Sequence, residues 1–313
     1  MIIDGHIDVL HALETQWRKF HEEPAEDHFA RGHVDLPRMR KGNVLGAFFA
    51  VYPTVNEFSI KKGVDSWFKL IEDEQNELLH VKNVEDFDKC IKENKIGAVL
   101  HFEGAGGIDS EFHNLRNYYR LGLRSMGLSW TNINKFATGV RMIEERGLTF
   151  EGKELVKEME KLGIIIDVSH LNIKSFWDVV NLASKPIIAS HSNSFALCND
   201  PRNLKDDQIK AIGELNGTIG INFCVAFLTK DKKKDEITFE IIKKHIDRMV
   251  ENAGIKHVSF GSDYDGAPVP DILEDISYYP KLTEYLEENG YNRQELELIT
   301  HKNFLRVMKE VWK

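Results

Sequence analysis

Eight short apolar runs punctuate this chain, at residues 2 to 6, 44 to 52, 97 to 103, 123 to 130, 163 to 169, 186 to 191, 217 to 223 and 257 to 262. Most are apolar almost without a break, as in VLGAFFAVY, GAVLHF, GIIIDV and HVSFGS, rather than alternating apolar with polar positions. Strands of that kind must be buried on both faces, which happens when helices cover a parallel sheet. The segments DSWFKLIEDEQNELL, GKELVKEMEKLG, IKSFWDVVNLA and FEIIKKHIDRMVENAG supply the helices, with apolar residues three and four apart. Several close on glycine, as at Gly163 and Gly254, where left-handed backbone can satisfy the last carbonyls. Eight parallel strands alternating with helices predict an α/β fold, a (β/α)8 barrel.

One domain spanning residues 1–313 is expected, because such barrels commonly exceed ~250 residues. No linker, repeat or low-complexity tract divides the chain, and 42% apolar residues with 18 Phe suffice for a large core. Residues 9 to 43 and 131 to 152 are read as long loops that shape a pocket, and KDKKKDE at 230 to 236 as a solvated loop. The formal charge of −9, with no dense Lys/Arg stripe, argues against nucleic acid as a partner. Neither a basic-then-apolar leader nor a run of 18 apolar residues is present, so no membrane attachment is expected and a cytoplasmic location is. Cys90, Cys198 and Cys224, odd in number and widely spaced, are read as buried free thiols rather than disulfide partners or metal ligands.

The polar residues fall in a pattern of their own. His6 and Asp8 share one side of the first strand as it ends, since alternate residues point one way. Glu103 ends LHFEG, His170 ends IDVSH, His191 ends IIASHS, and Asp263 follows SFGS. These groups stand at the carboxyl ends of their strands, the face on which barrel enzymes build their sites. Imidazole and carboxylate together favour zinc and its neighbours, and six groups exceed the needs of one tetrahedral ion. Two ions sharing a carboxylate account for the surplus, with His6 and Asp8 on one, His170 and His191 on the other, and Glu103 touching both. The remaining histidines, His101 among them, are read as structural or surface residues.

With these motifs in order, the sequence resembles the membrane dipeptidase (renal dipeptidase) family of zinc metallopeptidases over almost its whole length. The likeness rests on DGHID at 4 to 8, HFEGA at 101 to 105, LRSMGLSW at 123 to 130, EERGLT at 144 to 149, IDVSH at 166 to 170, SHSN at 190 to 193, DPRN at 200 to 203 and GSDYDG at 261 to 266. It implies two Zn2+ ions on the ligands already assigned and dipeptide substrates, in some members with a D-residue at the C-terminal position. It also implies a homodimer as the expected assembly. Arg202 matches the arginine that grips the substrate's terminal carboxylate. The implied chemistry is attack by a metal-bridging hydroxide, with Asp263 taking a proton and returning one to the leaving amine. Trp130 stands where animal members carry a histidine, so it can shape the pocket but cannot titrate; Asn132 is a candidate polar contact beside it. Two alternatives stay open: a related barrel hydrolase such as an N-acyl-amino-acid deacylase or lactonase, and a silent metal-binding barrel.

Overall fold

The structure is a computed structural model that describes residues 1–16, 18–23, 31–143, 146–231 and 233–313. His28, the first two residues of EERGLT and one lysine of KDKKKDE lie outside the described residues. Among the described residues, nine strands form one parallel sheet: β1 Ile2–Ile7, β2 Val44–Val51, β3 Leu78–His80, β4 Ile96–Phe102, β5 Leu123–Gly127, β6 Ile165–Asp167, β7 Ile188–Ala189, β8 Thr218–Ile221 and β9 Val258–Phe260. Pairing of β2 with β4 closes eight of them into the expected barrel.

The ninth strand was not expected. Residues 65 to 79 read as one helix, but the helix runs Glu57–Glu72, starting at an Asn56 cap whose side chain accepts from Ser59 N–H. A single 3-10 turn at Glu74–Asn76 follows, and then β3 pairs with the first residues of β4, Leu78 opposite Ile96. β5 takes over the later residues of β4, from Leu100 to Phe102. The segment 9 to 43 is also more than a loop, since it contains helices Val9–Gln16 and Leu36–Lys41.

Two cores hold the barrel. The larger lies between the strands and the surrounding helices, and the smaller closes the barrel's amino-terminal end. There Phe304, Val307, Met308 and Val311 of helix Asn303–Val311 meet Ile3, Phe48, Val99, Ile165 and Ile188. Phe304 is fully buried, and burial of a side chain of that size stabilises by roughly 1.5–3 kcal/mol. Gly5 in β1 is required by this packing, because a Cβ would lie 2.5 Å from Phe304 Cζ. The opposite end of the barrel is left for polar groups.

Candidate metal centre

The strands are shorter than their apolar runs because the backbone leaves the ladder where the site begins. His170 and Asp263 stand just beyond β6 and β9 in left-handed conformations, with φ of 68° and 64°. Few residues other than glycine tolerate that region, Asp and His among the better ones, and it ends strand pairing while turning the side chain inward. In β1 a register shift between Asp4 and Ile7 performs the same task. Gly5 faces the interior plug and His6 also points inward, stacking on His191 at 3.8 Å, while Asp4 turns away to Tyr279.

All six side chains converge. His6, Asp8 and Glu103 form one trio, and Glu103, His170 and His191 a second; within each, the ligand atoms lie within 4.8 Å of one another. His6, His191 and Asp263 form an overlapping third. Glu103 Oε1 stands 2.9 Å from His170 Nε2, 3.6 Å from His191 Nε2 and 3.7 Å from His6 Nε2. Burial, reinforced by the charge of Asp8, raises Glu103 well above the carboxylate range and Asp263 to about 6. Against the burial that would hold it neutral, the charges of Asp8, Glu103 and Asp263 lift His6 to about 10. Burial and then neighbouring cations, Arg202 for His170 and His6 for His191, push these two imidazoles well below their usual value. Crowded acids around one focus, with the His170 and His191 imidazoles held neutral and the His6 imidazole drawn to the same acids, are the donor set that a borderline divalent cation satisfies, so the residues fit zinc.

Two buried acids outside the trios set this geometry. Asp4 accepts from His6 N–H (3.0 Å) and Ser262 N–H (2.9 Å) through one oxygen, and from the hydroxyls of Ser262 (2.5 Å) and Tyr279 (2.6 Å) through the other. Asp167 repeats the pattern with Ser169 N–H (3.0 Å), Ser190 N–H (2.9 Å) and the Ser190 hydroxyl (2.5 Å). Each acid thereby fixes the residue immediately before a site residue, Ser262 before Asp263 and Ser190 before His191. Because Ser190 gives its proton to Asp167, its Oγ accepts from His191 Nδ1–H at 2.6 Å, which leaves the Nε2 lone pair for a metal. Asp167→Asn offers Ser190 an amide donor instead, turning the hydroxyl toward His191 and selecting the wrong tautomer. Zinc affinity at the His170–His191 position is expected to fall about 10- to 100-fold, read by competition with a chromophoric chelator; unchanged affinity refutes the relay.

A cavity of about 450 Å³ opens over the centre, lined by Asp8, Glu103, His170 and Asp263 together with Arg202 and Trp130. Arg202 is buried; its Nε donates to His170 Nδ1 (3.1 Å) and its terminal nitrogens to Ser192 Oγ (2.9 Å) and the His191 carbonyl (2.9 Å). The Trp130 ring lies 5.0 Å from Tyr52 and 5.9 Å from His170. Asn132 is placed elsewhere, exposed and lining a cavity of about 170 Å³ that Trp130 and Tyr52 also border. A larger cavity of about 770 Å³ adjoins the first, sharing His170 and Arg202 as a wall. Sequence reading missed Tyr52, His11 and Arg141, which also line the central cavity. Tyr52 ends an apolar run just as Glu103 does, which was a usable signal; His11 and Arg141 carried none. His101, read as structural, is buried beneath His6 with its Nδ1 at 3.0 Å from Ser125 Oγ.

Several known proteins are similar to this chain in sequence and fold. An uncharacterized protein of Klebsiella pneumoniae is 41% identical over 234 residues, covering 72% of this chain and 86% of its own. An uncharacterized dipeptidase of Schizosaccharomyces pombe is 31% identical over 99% of this chain and 80% of its own. A metallopeptidase from Rhodobacter sphaeroides, solved with a phosphinate mimic of the dipeptide L-Ala-D-Ala, superimposes with a TM-score of 0.91 over 99% of each chain at 28% identity. Residues 1–313 match the membrane dipeptidase family, peptidase family M19, and with the barrel and its cluster of candidate ligands in place the chain belongs to that family of metallodipeptidases.

Proposed function

We propose that the chain hydrolyses dipeptides at a dinuclear zinc centre, with His6, Asp8 and Glu103 holding one ion and Glu103, His170 and His191 the other. The single observation that carries this reading is that one oxygen of Glu103 faces the imidazoles of both trios. Paired zinc ions supply the Lewis acidity that brings a water's pKa from ~15.7 toward neutrality and polarises a carbonyl. Asp263 handles the proton: its Oδ2 is oriented by Asn222 Nδ2 at 3.0 Å, and a carboxyl raised to about 6 can accept from water and return a proton to the leaving amine.

Arg202 receives the substrate's terminal carboxylate. Three of its five N–H groups are engaged by the protein, which leaves one on each terminal nitrogen for a bidentate grip. Substrates with a D-residue at the C-terminal position are included, in line with the L-Ala-D-Ala mimic bound by the Rhodobacter protein. Trp130 walls the cavity without titrating. No described helix is long and apolar enough to cross a membrane, and the free, buried thiols Cys90, Cys198 and Cys224 suit the cytoplasm that we assign.

Metal analysis joined to a panel of L,L and L,D dipeptides and N-acyl-amino acids tests the proposal: two zinc per chain and dipeptide turnover are expected. Activity on the acylated amino acids alone, or zinc without turnover, overturns it. Arg202→Met is expected to lower kcat/KM on every dipeptide about 10- to 100-fold, mainly through KM, as loss of a charged hydrogen-bond pair implies. A fall in kcat with KM unchanged would move Arg202 from carboxylate recognition to support of His170.

A further inference from the structure

The central cavity has two guanidinium groups, and a dipeptide with a neutral side chain has one terminal carboxylate. Arg202 is buried at its base; Arg141 sits on its rim with its side chain 46% exposed. Asp200 Oδ1 accepts from the backbone N–H of Arg202 at 2.9 Å and lies 3.2 Å from an Arg141 terminal nitrogen. The acids that share the cavity are committed elsewhere. Asp8, Glu103 and Asp263 face the metal focus, while Asp265 is held by Arg18 at 3.2 Å and by His33 N–H at 2.5 Å. Among the described residues Asp200 is the one ion-pair partner of Arg141, and an exposed pair of this kind contributes at most about 1 kcal/mol. Most of the five donors of Arg141 therefore remain available to a ligand in the cleft.

We infer that Arg141 is a specificity-determining residue that recognises a side-chain carboxylate on the C-terminal residue of the substrate, so that the enzyme favours dipeptides ending in aspartate or glutamate of either hand. The inference rests on the proposed dipeptidase reading. Because Arg202 and Arg141 line the same cavity of about 450 Å³, a residue whose terminus lies on Arg202 has Arg141 as the second cation its side chain can meet. The amino-terminal residue is left to the remaining lining of the cavity, which includes Asp8, His11 and Tyr52.

The test compares Ala-Asp with Ala-Asn, in both C-terminal configurations, on the zinc-loaded chain. The two substrates are nearly equal in shape, so the ratio of their kcat/KM values isolates the charge. A ratio of about 10 to 100 is expected, in keeping with a charged hydrogen bond. Arg141→Met should bring it close to one and Arg141→Lys should keep part of it. A merely structural role would lower both rates together and leave the ratio unchanged. A ratio near one in the parent protein, or a ratio that survives Arg141→Met, overturns the inference. If no dipeptide is cleaved, the dipeptidase reading fails separately. Calorimetric binding of Ala-Asp against Ala-Asn, in the parent and in Arg141→Met, then decides the role of Arg141: preference for Ala-Asp that the substitution removes supports it, and equal binding refutes it.

Discussion

Replacing Glu103 by glutamine is expected to abolish dipeptide hydrolysis, a loss of at least about 10³-fold, and to cost the protein at least one of the two zinc ions proposed for it. The reason lies in one atom. Glu103 Oε1 approaches His170, His191 and His6 within 2.9, 3.6 and 3.7 Å, so both trios depend on it, and an amide oxygen carries no charge to offset two dications held close together. The same substitution should act in the opposite direction on the metal-free chain. Burial, with the charge of Asp8, raises the Glu103 pKa well above its unfolded value, so the folded state holds this proton more tightly than the unfolded one. The resulting stability is fully present below the unfolded carboxylate range and is lost as pH rises through the higher folded pKa. At neutral and alkaline pH, metal-free Glu103→Gln should therefore melt no lower than the metal-free parent, while zinc, which at about 1,000 times its Kd would add about 4 kcal/mol to the parent, should shift the variant far less. Metal content, turnover and paired melting curves with and without zinc read all three effects. Full retention of two ions would show that Glu103 is not the bridge.

The barrel and the candidate ligands at its mouth were legible in the sequence for a common reason: both follow from where apolar runs stop. Strands buried on both faces must be continuously apolar, so a histidine or an acid at the end of such a run has left the core and entered the site. His6, Glu103, His170, His191 and Asp263 could be read in this way, and the structure brings them together. The period-two reading of DGHID picked out His6 and Asp8, which the structure places together, without seeing the cause. A register shift puts Gly5 and His6 both on the interior and sends Asp4 outward, and no local composition announces a shift of that kind. Asp4 and Asp167 look like ligands in sequence, but their oxygens are filled by backbone N–H groups and serine hydroxyls, a distinction that only the neighbouring strands supply. β3 was invisible because a three-residue strand carries no period. Arg141 and His11 belong to the cavity through loop and helix paths that bring distant segments to its rim, and side-chain chemistry alone gives no sign of that.

Asp263→Asn separates proton transfer from metal binding. The backbone that carries Asp263 is fixed independently of its carboxyl group: its N–H donates to the His6 carbonyl at 3.1 Å, the preceding Ser262 is held by Asp4, and Asn222 orients Oδ2. The space around it is tight as well, since a Cβ on Gly266 would lie 2.6 Å from Asp263 Oδ1 and 2.0 Å from Asp8 Oδ2. An isosteric amide should therefore occupy the same place. It cannot accept a proton from water or deliver one to the departing amine, and loss of general acid–base assistance corresponds to about 10²- to 10⁴-fold in rate. The fall should appear in kcat and kcat/KM alike, because the lost interaction belongs to the transition state, and two zinc ions should remain bound. Burial and the charge of Asp8 place this carboxyl near 6 before any metal is considered, and nearby dications pull it lower, so the parent's rate should rise with pH along an acidic limb that reports its ionisation. In Asp263→Asn that limb should vanish, leaving only the dependence that metal loading imposes. Asp263 also stands with His6 and His191 in the third of the potential ligand groups, so the competing role is a direct one on metal. A variant that loses one equivalent of zinc in step with its activity would assign Asp263 to coordination, whereas full zinc occupancy with turnover reduced and the acidic limb gone is the outcome that proton transfer requires.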